Sequence, residues 1–294
     1  MFAATGRDGP ALEQLMRATK TLNRLADERP DAAVLRSELA ACYLSSASIL
    51  EGMNQLGDAR EVRALALSEL RKLLAGDPSD VSLRIEIAGC LGAMAEASVL
   101  AGDTSSADST SGEAMKLLDE VLAVQPDHAE AAARKAAQLG LRAGLLRDKG
   151  RSQEAIDDFD VALSMLERLF ASNPQNSMVV YRLALLRWQK ARMVGTDGAR
   201  EAEITLISES IQLLQSLEIR QDPNGPAPEI LQRTNAYMAG DLGHALQLVG
   251  RRDEAALAFA EAVKLWEGLS SSRPKSEEYT EALLWCRQRM QDLQ

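Results

Sequence analysis

Apolar and small side chains recur along this chain at spacings of four and three residues, the pattern of an α-helix with one buried face. In the clearest series, an alanine is followed four residues later by leucine or tryptophan, and three residues after that by another apolar residue. The series occurs as Ala66, Leu70 and Leu73; Ala114, Leu118 and Val121; Ala162, Leu166 and Leu169; and Ala262, Trp266 and Leu269. Each triplet predicts a helix face that a neighbouring helix must cover.

A second series consists of small residues seven positions apart. Its pairs are Ala40 and Ala47, Ala88 and Ala95, Ala136 and Ala143, Ala184 and Ala191, and Ala236 and Gly243. Small side chains at this spacing allow two helices to approach closely. The two series alternate along the chain, so we expect two kinds of helix in alternation.

Prolines and glycines divide the chain at regular intervals. Five of the nine prolines follow a period of 48 or 49 residues, and glycines lie between them. The prolines are Pro30, Pro78, Pro126, Pro174 and Pro223, and the glycines are Gly57, Gly102, Gly150, Gly198 and Gly250. Proline ends one helix, and glycine permits the left-handed turn that ends another. Each unit is therefore predicted to contain two helices of about 20 residues.

A fixed period of this length is typical of stacked repeats. We expect an all-α fold, an α-solenoid of five antiparallel helix hairpins with an unpaired helix at each end, in a single repeat domain. Residues 1–9 are expected to be disordered. The predicted elements are a half-unit at 10–29, units at 30–77, 78–125, 126–173, 174–222 and 223–273, and a capping helix at 274–294.

The turn and closing sequences resemble those of the tetratricopeptide repeat family, in which an alanine lies five residues after the turn glycine and a proline follows the second helix. Gly150 with Ala155 and Gly250 with Ala255 match the turn, and Asn173-Pro174 matches the close. The usual period is about 34 residues. The extra length amounts to about seven residues per helix, nearly two turns, which rotates the buried face by only about 20°.

This resemblance implies a right-handed superhelix whose first helices line a concave groove where partners bind. The chain is also similar to the long-period repeat tails of bacterial serine/threonine kinases, although it lacks the Gly-rich, His-Arg-Asp and Asp-Phe-Gly motifs of the kinase itself. The second likeness implies an alternative role, as the sensory or regulatory region of a larger kinase or transcription regulator.

Composition argues against several classes of partner. The chain has 43 acidic and 33 basic residues, a formal charge of −10 and a pI of about 4.9. Nucleic acids and anionic membranes both select clustered positive charge, so neither is an expected partner. Because we find neither a run of 18 apolar residues nor a signal-peptide pattern, we expect a cytoplasmic protein.

Residues with catalytic or metal-binding chemistry are sparse. The cysteines Cys42, Cys90 and Cys286 each lie 12 residues after a proline of the period, so we interpret them as core residues in equivalent slots. The two histidines, His128 and His244, lie too far apart in sequence to suggest a metal site. The sequence therefore predicts no enzyme, no metal and no cofactor.

Planar and cationic residues accumulate on the predicted first helices of units three to five. The candidate binding residues are Arg134, Tyr181, Arg182, Trp188, Gln189, Arg192, Arg233, Tyr237 and His244. Arginine and aromatic residues are enriched at binding hot spots, so we predict a scaffold or adaptor that binds an acidic or aromatic-bearing protein or peptide. Self-association through an uncapped end is a further expectation. The alternative is that Trp188 packs in the core and the arginines form surface ion pairs.

Overall fold

A computed structural model describes residues 8–29, 31–53, 55–220, 222, 225–274 and 276–293. Within these residues the secondary structure consists of helices and turns, with no strand. The helices are α1 (Asp8–Glu28), α2 (Ala33–Gly52), α3 (Leu56–Gly76), α4 (Val81–Leu100), α5 (Thr104–Val124), α6 (Ala129–Asp148), α7 (Ser152–Ser172), α8 (Ser177–Thr196), α9 (Arg200–Arg220), α10 (Pro228–Leu248), α11 (Arg252–Ser272) and α12 (Glu277–Gln291). The all-α prediction is confirmed, and consecutive helices pair as antiparallel hairpins of a repeat solenoid.

We call the even-numbered helices first-type, because each follows a proline position of the period, and the odd-numbered helices second-type. Helix α1 begins at Asp8, so the last two residues of the segment predicted to be disordered are helical. Residues 1–7 of that segment lie outside the described residues, as do Pro30 and Pro223. The described prolines of the period mark helix ends. Pro78, Pro126 and Pro174 each lie two residues after the last residue of a second-type helix.

Glycine forms the turn inside four of the hairpins. Gly102, Gly150, Gly198 and Gly250 have φ angles of 75°, 73°, 92° and 80°, a backbone conformation that is costly for residues with a Cβ atom. Gly57 was predicted to play this part, and that prediction is wrong, because Gly57 is the second residue of α3. The other turn glycines lie 24 residues after a proline, and the corresponding position, 54, is outside the described residues.

Side-chain caps fix the start of several helices. The carboxylate of Asp80 accepts a hydrogen bond from the Leu83 amide at 3.0 Å, and Asp103 does the same for Ser106 at 3.0 Å. Asn176 and Ser276 cap α8 and α12 in the same way. Each cap satisfies an amide that has no partner within its helix, so the connections can remain short.

The chain divides into two compact units, Met1–Leu145 and Leu146–Gln294, with the division inside α6. In the first unit, contacts join α1 to α2, α2 to α3, α3 to α4 and α4 to α5. A core cluster there joins first-type and second-type helices through residues such as Ala40, Leu70 and Leu118. The described part of this unit therefore has the successive helix packing that the repeat pattern predicts.

In the second unit, helices α7 to α12 also contact one another in sequence. Three core clusters lie along them, centred on Leu214 and Met238, on Trp266 and Cys286, and on Phe259. The aromatic residues Trp266 and Phe259 are buried and fill the space between α10, α11 and α12.

The two sequence series account for much of the core. The small residues at heptad spacing on the first-type helices are all buried. On the second-type helices, Ala66, Ala114, Ala162 and Ala262 have 0% exposure, and Leu118 and Leu166 are equally inaccessible. The three cysteines are free thiols. Cys90 and Cys286 are buried, in agreement with the interpretation that they are core residues, whereas Cys42 is half-buried.

We expect Leu166→Ala in α7 to lower the free energy of unfolding by about 2 to 5 kcal/mol, because it removes a fully buried side chain and leaves a cavity. The matched control is Leu257→Ala in α11 of the same unit, since Leu257 is 73% exposed and its loss should change stability by less than about 0.5 kcal/mol. Urea denaturation followed by circular dichroism measures both. Equal effects of the two substitutions would contradict the assigned helix faces.

Candidate binding cavity

In the Leu146–Gln294 unit, the first-type helices α8, α10 and α12 and the second-type helix α11 enclose an open cavity of about 420 Å³. It is lined by Trp188, Arg192, Ala236, Tyr237, Gly240, Asp241, Trp266, Ala282, Trp285 and Cys286. The three tryptophans of the chain all belong to this lining. We call it the tryptophan cavity.

Aromatic rings form most of the walls. The rings of Trp188 and Tyr237 are nearly parallel, at 25°, with their centroids 6.4 Å apart. The edge of Tyr237 packs against buried Trp266, with the centroids 4.8 Å apart. Trp285 stands edge-on to Phe259 at 5.9 Å and remains 41% exposed. The lining therefore combines one buried ring, Trp266, with the half-buried rings of Trp188 and Tyr237 and the exposed ring of Trp285.

Small residues keep the space between the rings open. Ala236, Gly240 and Ala282 lie on the two helices that carry Tyr237 and Trp285. A Cβ atom on Gly240 would lie 3.3 Å from the ring of Trp285, tighter than an ordinary contact. Glycine at this position thus allows α12 to approach α10 with a tryptophan between them.

Asp241 is the one carboxylate among the described residues that line the cavity. The indole Nε1 of Trp188 donates a hydrogen bond to its Oδ2 at 2.9 Å. The Nε of Arg192 lies 3.7 Å from the same oxygen, and its guanidinium carbon is 5.7 Å from the centre of the Trp188 ring. Burial raises the pKa of Asp241, and the Trp188 hydrogen bond and the Arg192 charge offset this only in part.

The other titratable groups of the cavity keep their protons at neutral pH. Burial raises the pKa of the Cys286 thiol to about 11, with a smaller contribution from the charge of Asp241. Burial also raises the pKa of Tyr237 to about 12, assisted by Glu278, to which the phenol donates a hydrogen bond at 3.0 Å. Of these three groups, only the carboxyl of Asp241 has an ordinary pKa in the acidic range.

Three of the nine residues predicted from the sequence meet at this cavity, namely Trp188, Arg192 and Tyr237. Tyr181 instead packs against the core of α8 and α10, and its hydroxyl lies 3.3 Å from Thr234 Oγ1. His244 lies close by, with its ring centroid 6.3 Å from that of Trp285.

The remaining predicted residues lie away from the lining. Arg233 lies 3.7 Å from Glu278, Arg182 is half-buried, and Gln189 is exposed on α8. Arg134 belongs to the Met1–Leu145 unit, where it pairs with Glu130 at 2.8 Å and fills the space beside Gly89. The alternative expectation was that Trp188 packs in the core and the arginines form surface ion pairs. Arg134, Arg233 and, more loosely, Arg192 form such pairs, and half-buried Trp188 packs against the core cluster of α8, α9 and α10.

The sequence reasoning missed Asp241 and Trp285 and assigned Trp266 and Cys286 to the core alone. A signal for Trp285 is present in the period. The position 11 residues after a proline is occupied by Ala41, Gly89, Ala137 and Leu185, counted from Pro30, Pro78, Pro126 and Pro174, and by Tyr237 and Trp285, counted from Pro226 and Pro274. The side chain at this position is aromatic only on the last two first-type helices, α10 and α12. This is where the cavity lies.

Comparisons with known proteins define the fold but not a family. No family model and no curated protein matches the chain. Among solved structures, BtubC (BKLC) from P. vanneervenii is similar over 92% of this chain and 95% of its own, with 14% identity and a TM-score of 0.59.

Two further structures are similar at lower scores. TTC0263, a TPR protein of Thermus thermophilus, covers 83% of this chain and 99% of its own at 16% identity, with a TM-score of 0.43. YrrB, a TPR protein with an unusual peptide-binding site, covers 90% of this chain and 98% of its own at 12% identity, with a TM-score of 0.39. The likeness in fold therefore rests on BtubC and on the helix hairpins themselves.

Two other kinds of site are absent from the described residues. None of the helices there is both long and apolar enough to cross a membrane. No group of His, Cys, Asp and Glu side chains in that part of the chain is arranged to hold a metal ion.

We expect Asp241→Asn to raise the free energy of unfolding at neutral pH. Since burial raises the pKa of Asp241 in the folded protein, ionisation above that pKa costs the folded state more than the unfolded chain. Below the unfolded pKa of about 3.9 both proteins carry a neutral side chain here, so their stabilities should converge. Urea denaturation at neutral pH and at about pH 3 measures the difference. A less stable variant at neutral pH would show that the Arg192 charge outweighs burial.

Proposed function

We propose that this protein is a non-catalytic scaffold or adaptor that binds a segment of a partner protein in the tryptophan cavity. The observation that carries the proposal is the row of ring faces on α8, α10 and α12, which ends in the exposed ring of Trp285. Tryptophan, tyrosine and arginine dominate binding hot spots because they combine a large contact area with directed hydrogen bonds. Trp188 and Tyr237 supply two of these types within one cavity, and Arg192 lies over the ring of Trp188.

The chemistry of the lining supports a binding role over a catalytic one. A thiol with a pKa of about 11 and a phenol with a pKa of about 12 are neither nucleophile nor base at neutral pH. None of the described lining residues is a histidine, and the thiol and phenol beside Asp241 keep their protons at neutral pH, so the lining offers no acid–base pair for catalysis. We therefore propose that the protein has no enzymatic activity and requires no cofactor.

The expected partner was an acidic or aromatic-bearing segment. The ring faces of Trp188, Tyr237 and Trp285 support an aromatic-bearing partner, because aromatic pairs add to the gain from burial. The support for an acidic partner is weaker, since Arg233 already lies beside Glu278 and the neighbouring Arg187 pairs with Glu167 at 2.8 Å. A location in the cytoplasm belongs to the same proposal.

Two further expectations stay predictions. One is that the chain is the regulatory region of a larger bacterial signalling protein, and the other is self-association through an uncapped end. Size-exclusion chromatography with light scattering tests the second.

We expect Trp285→Ala to reduce the recovery of native partners in affinity purification with mass spectrometry to a small fraction of that with the unchanged protein. The reason is that loss of a hot-spot tryptophan removes about 2 kcal/mol or more of binding free energy. Leu284→Ala is the matched control, because Leu284 is the preceding residue on α12 and is 59% exposed. Circular dichroism establishes that both variants keep their helix content.

Arg182→Glu combined with Arg192→Glu extends the test along α8. Unchanged recovery with the Trp285 and arginine variants, at unchanged helicity, would reject the cavity as the binding surface. Loss of the same partners with the Leu284 control would show that the exposed apolar surface of α12, and not the cavity, retains them.

A further inference from the structure

We infer that the tryptophan cavity binds the guanidinium group of an arginine presented by the partner, which takes the place of Arg192 between the Trp188 ring and the Asp241 carboxylate. This inference rests on the proposed function and specifies the side chain that the cavity selects. It departs from the acidic segment expected from the sequence, and it assigns the rings at Asp241 to a cation instead of an aromatic side chain.

Two of the tryptophans that line the cavity already contact guanidinium groups of the protein, Arg192 within the lining and Arg289 outside it. The Cζ of Arg192 is 5.7 Å from the centre of Trp188, and the Cζ of Arg289 is 5.6 Å from the centre of Trp285. A cation within about 6 Å of an indole face is attracted by the negative potential of the ring. These two tryptophans thus have the geometry for planar cations, with one wall on α8 and the other on α12.

Among the residues that the structure describes, no cation lies close enough to Asp241 to donate a hydrogen bond to its carboxylate. Arg192 approaches it only to 3.7 Å, beyond a hydrogen bond, and the Arg192 side chain is 57% exposed. The closest polar contact of Asp241 is the neutral indole of Trp188. An incoming arginine offers a fork of N–H donors to a carboxylate, which a single distant Nε does not. Trp188 and Asp241 therefore hold the guanidinium of Arg192 only loosely, and a guanidinium with better hydrogen-bond geometry can replace it.

Acidic and aromatic side chains fit the tryptophan cavity less well than arginine does. A glutamate or aspartate in the cavity would face the Asp241 carboxylate, and like charges in a partly desolvated site repel. A phenylalanine would bury Asp241 further without supplying a counter-charge, at a cost in free energy. Arginine combines a flat surface for the rings with a charge for Asp241, and the net charge of −10 favours the approach of basic segments.

A series of short, otherwise neutral peptides tests the inference. Their ends are blocked, and the central residue is arginine, citrulline, lysine, phenylalanine or glutamate. Citrulline keeps the planar shape of arginine and removes the charge. Because all three tryptophans line the cavity, intrinsic fluorescence reports its occupancy directly. We expect the arginine peptide to bind about tenfold more tightly than the citrulline peptide, from the cation–ring and charged hydrogen-bond contributions.

Two variants test whether the preference for arginine arises at Asp241 and Arg192. Asp241→Asn should abolish the preference for arginine over citrulline while leaving the protein folded, since that variant is expected to be the more stable one at neutral pH. Arg192→Ala should tighten binding of the arginine peptide about threefold, because the protein's own guanidinium no longer competes.

The outcomes separate this inference from the proposed function. Equal binding of arginine and citrulline peptides, tighter binding of the glutamate or phenylalanine peptide, or weaker arginine binding in Arg192→Ala would each overturn it. If these occur while native partners still depend on Trp285, the scaffold function stands and only the identity of the bound side chain is wrong. A preference for lysine over arginine would overturn the planar guanidinium as the selected group.

Discussion

The structure depends on the inability of a single helix hairpin to bury both of its apolar faces. Ala114 and Leu118 of α5 and Ala88 and Ala95 of α4 are all buried, although one hairpin covers only part of this surface. The rest must be covered by neighbouring hairpins, so burial of apolar surface, the main favourable contribution to folding, is gained only as helices pack in sequence. The successive helix contacts within each compact unit are the direct result.

This constraint is local and periodic, and for that reason much of the fold could be predicted from the sequence. The triplets on the second-type helices and the small residues on the first-type helices located the buried faces, and prolines and glycines located the ends. Gly57 shows the limit of such reasoning. A glycine near the right position was taken for the turn, although it stands inside α3, where no left-handed conformation is required.

The candidate site was harder to predict because it depends on contacts between residues distant in sequence. Trp188 and Tyr237 could be selected by residue type alone. The position of Asp241 beside them depends on the Trp188 hydrogen bond, which joins residues 53 positions apart. Likewise, Gly240 has a role only because Trp285 of α12 packs against it. A period identifies equivalent slots but does not show which slots of successive first-type helices face one another.

The cavity arises from the same packing that builds the core. Small residues on the first-type helices allow close approach, and the aromatic side chains of α10 and α12 line the open space of about 420 Å³ that remains. The central claim is that this first-type surface is where partners bind. Hydrogen exchange with and without a peptide selected from a display library tests it most directly. Binding at this surface slows exchange in α8, α10 and α12, whereas protection confined to α7, α9 and α11 would contradict it.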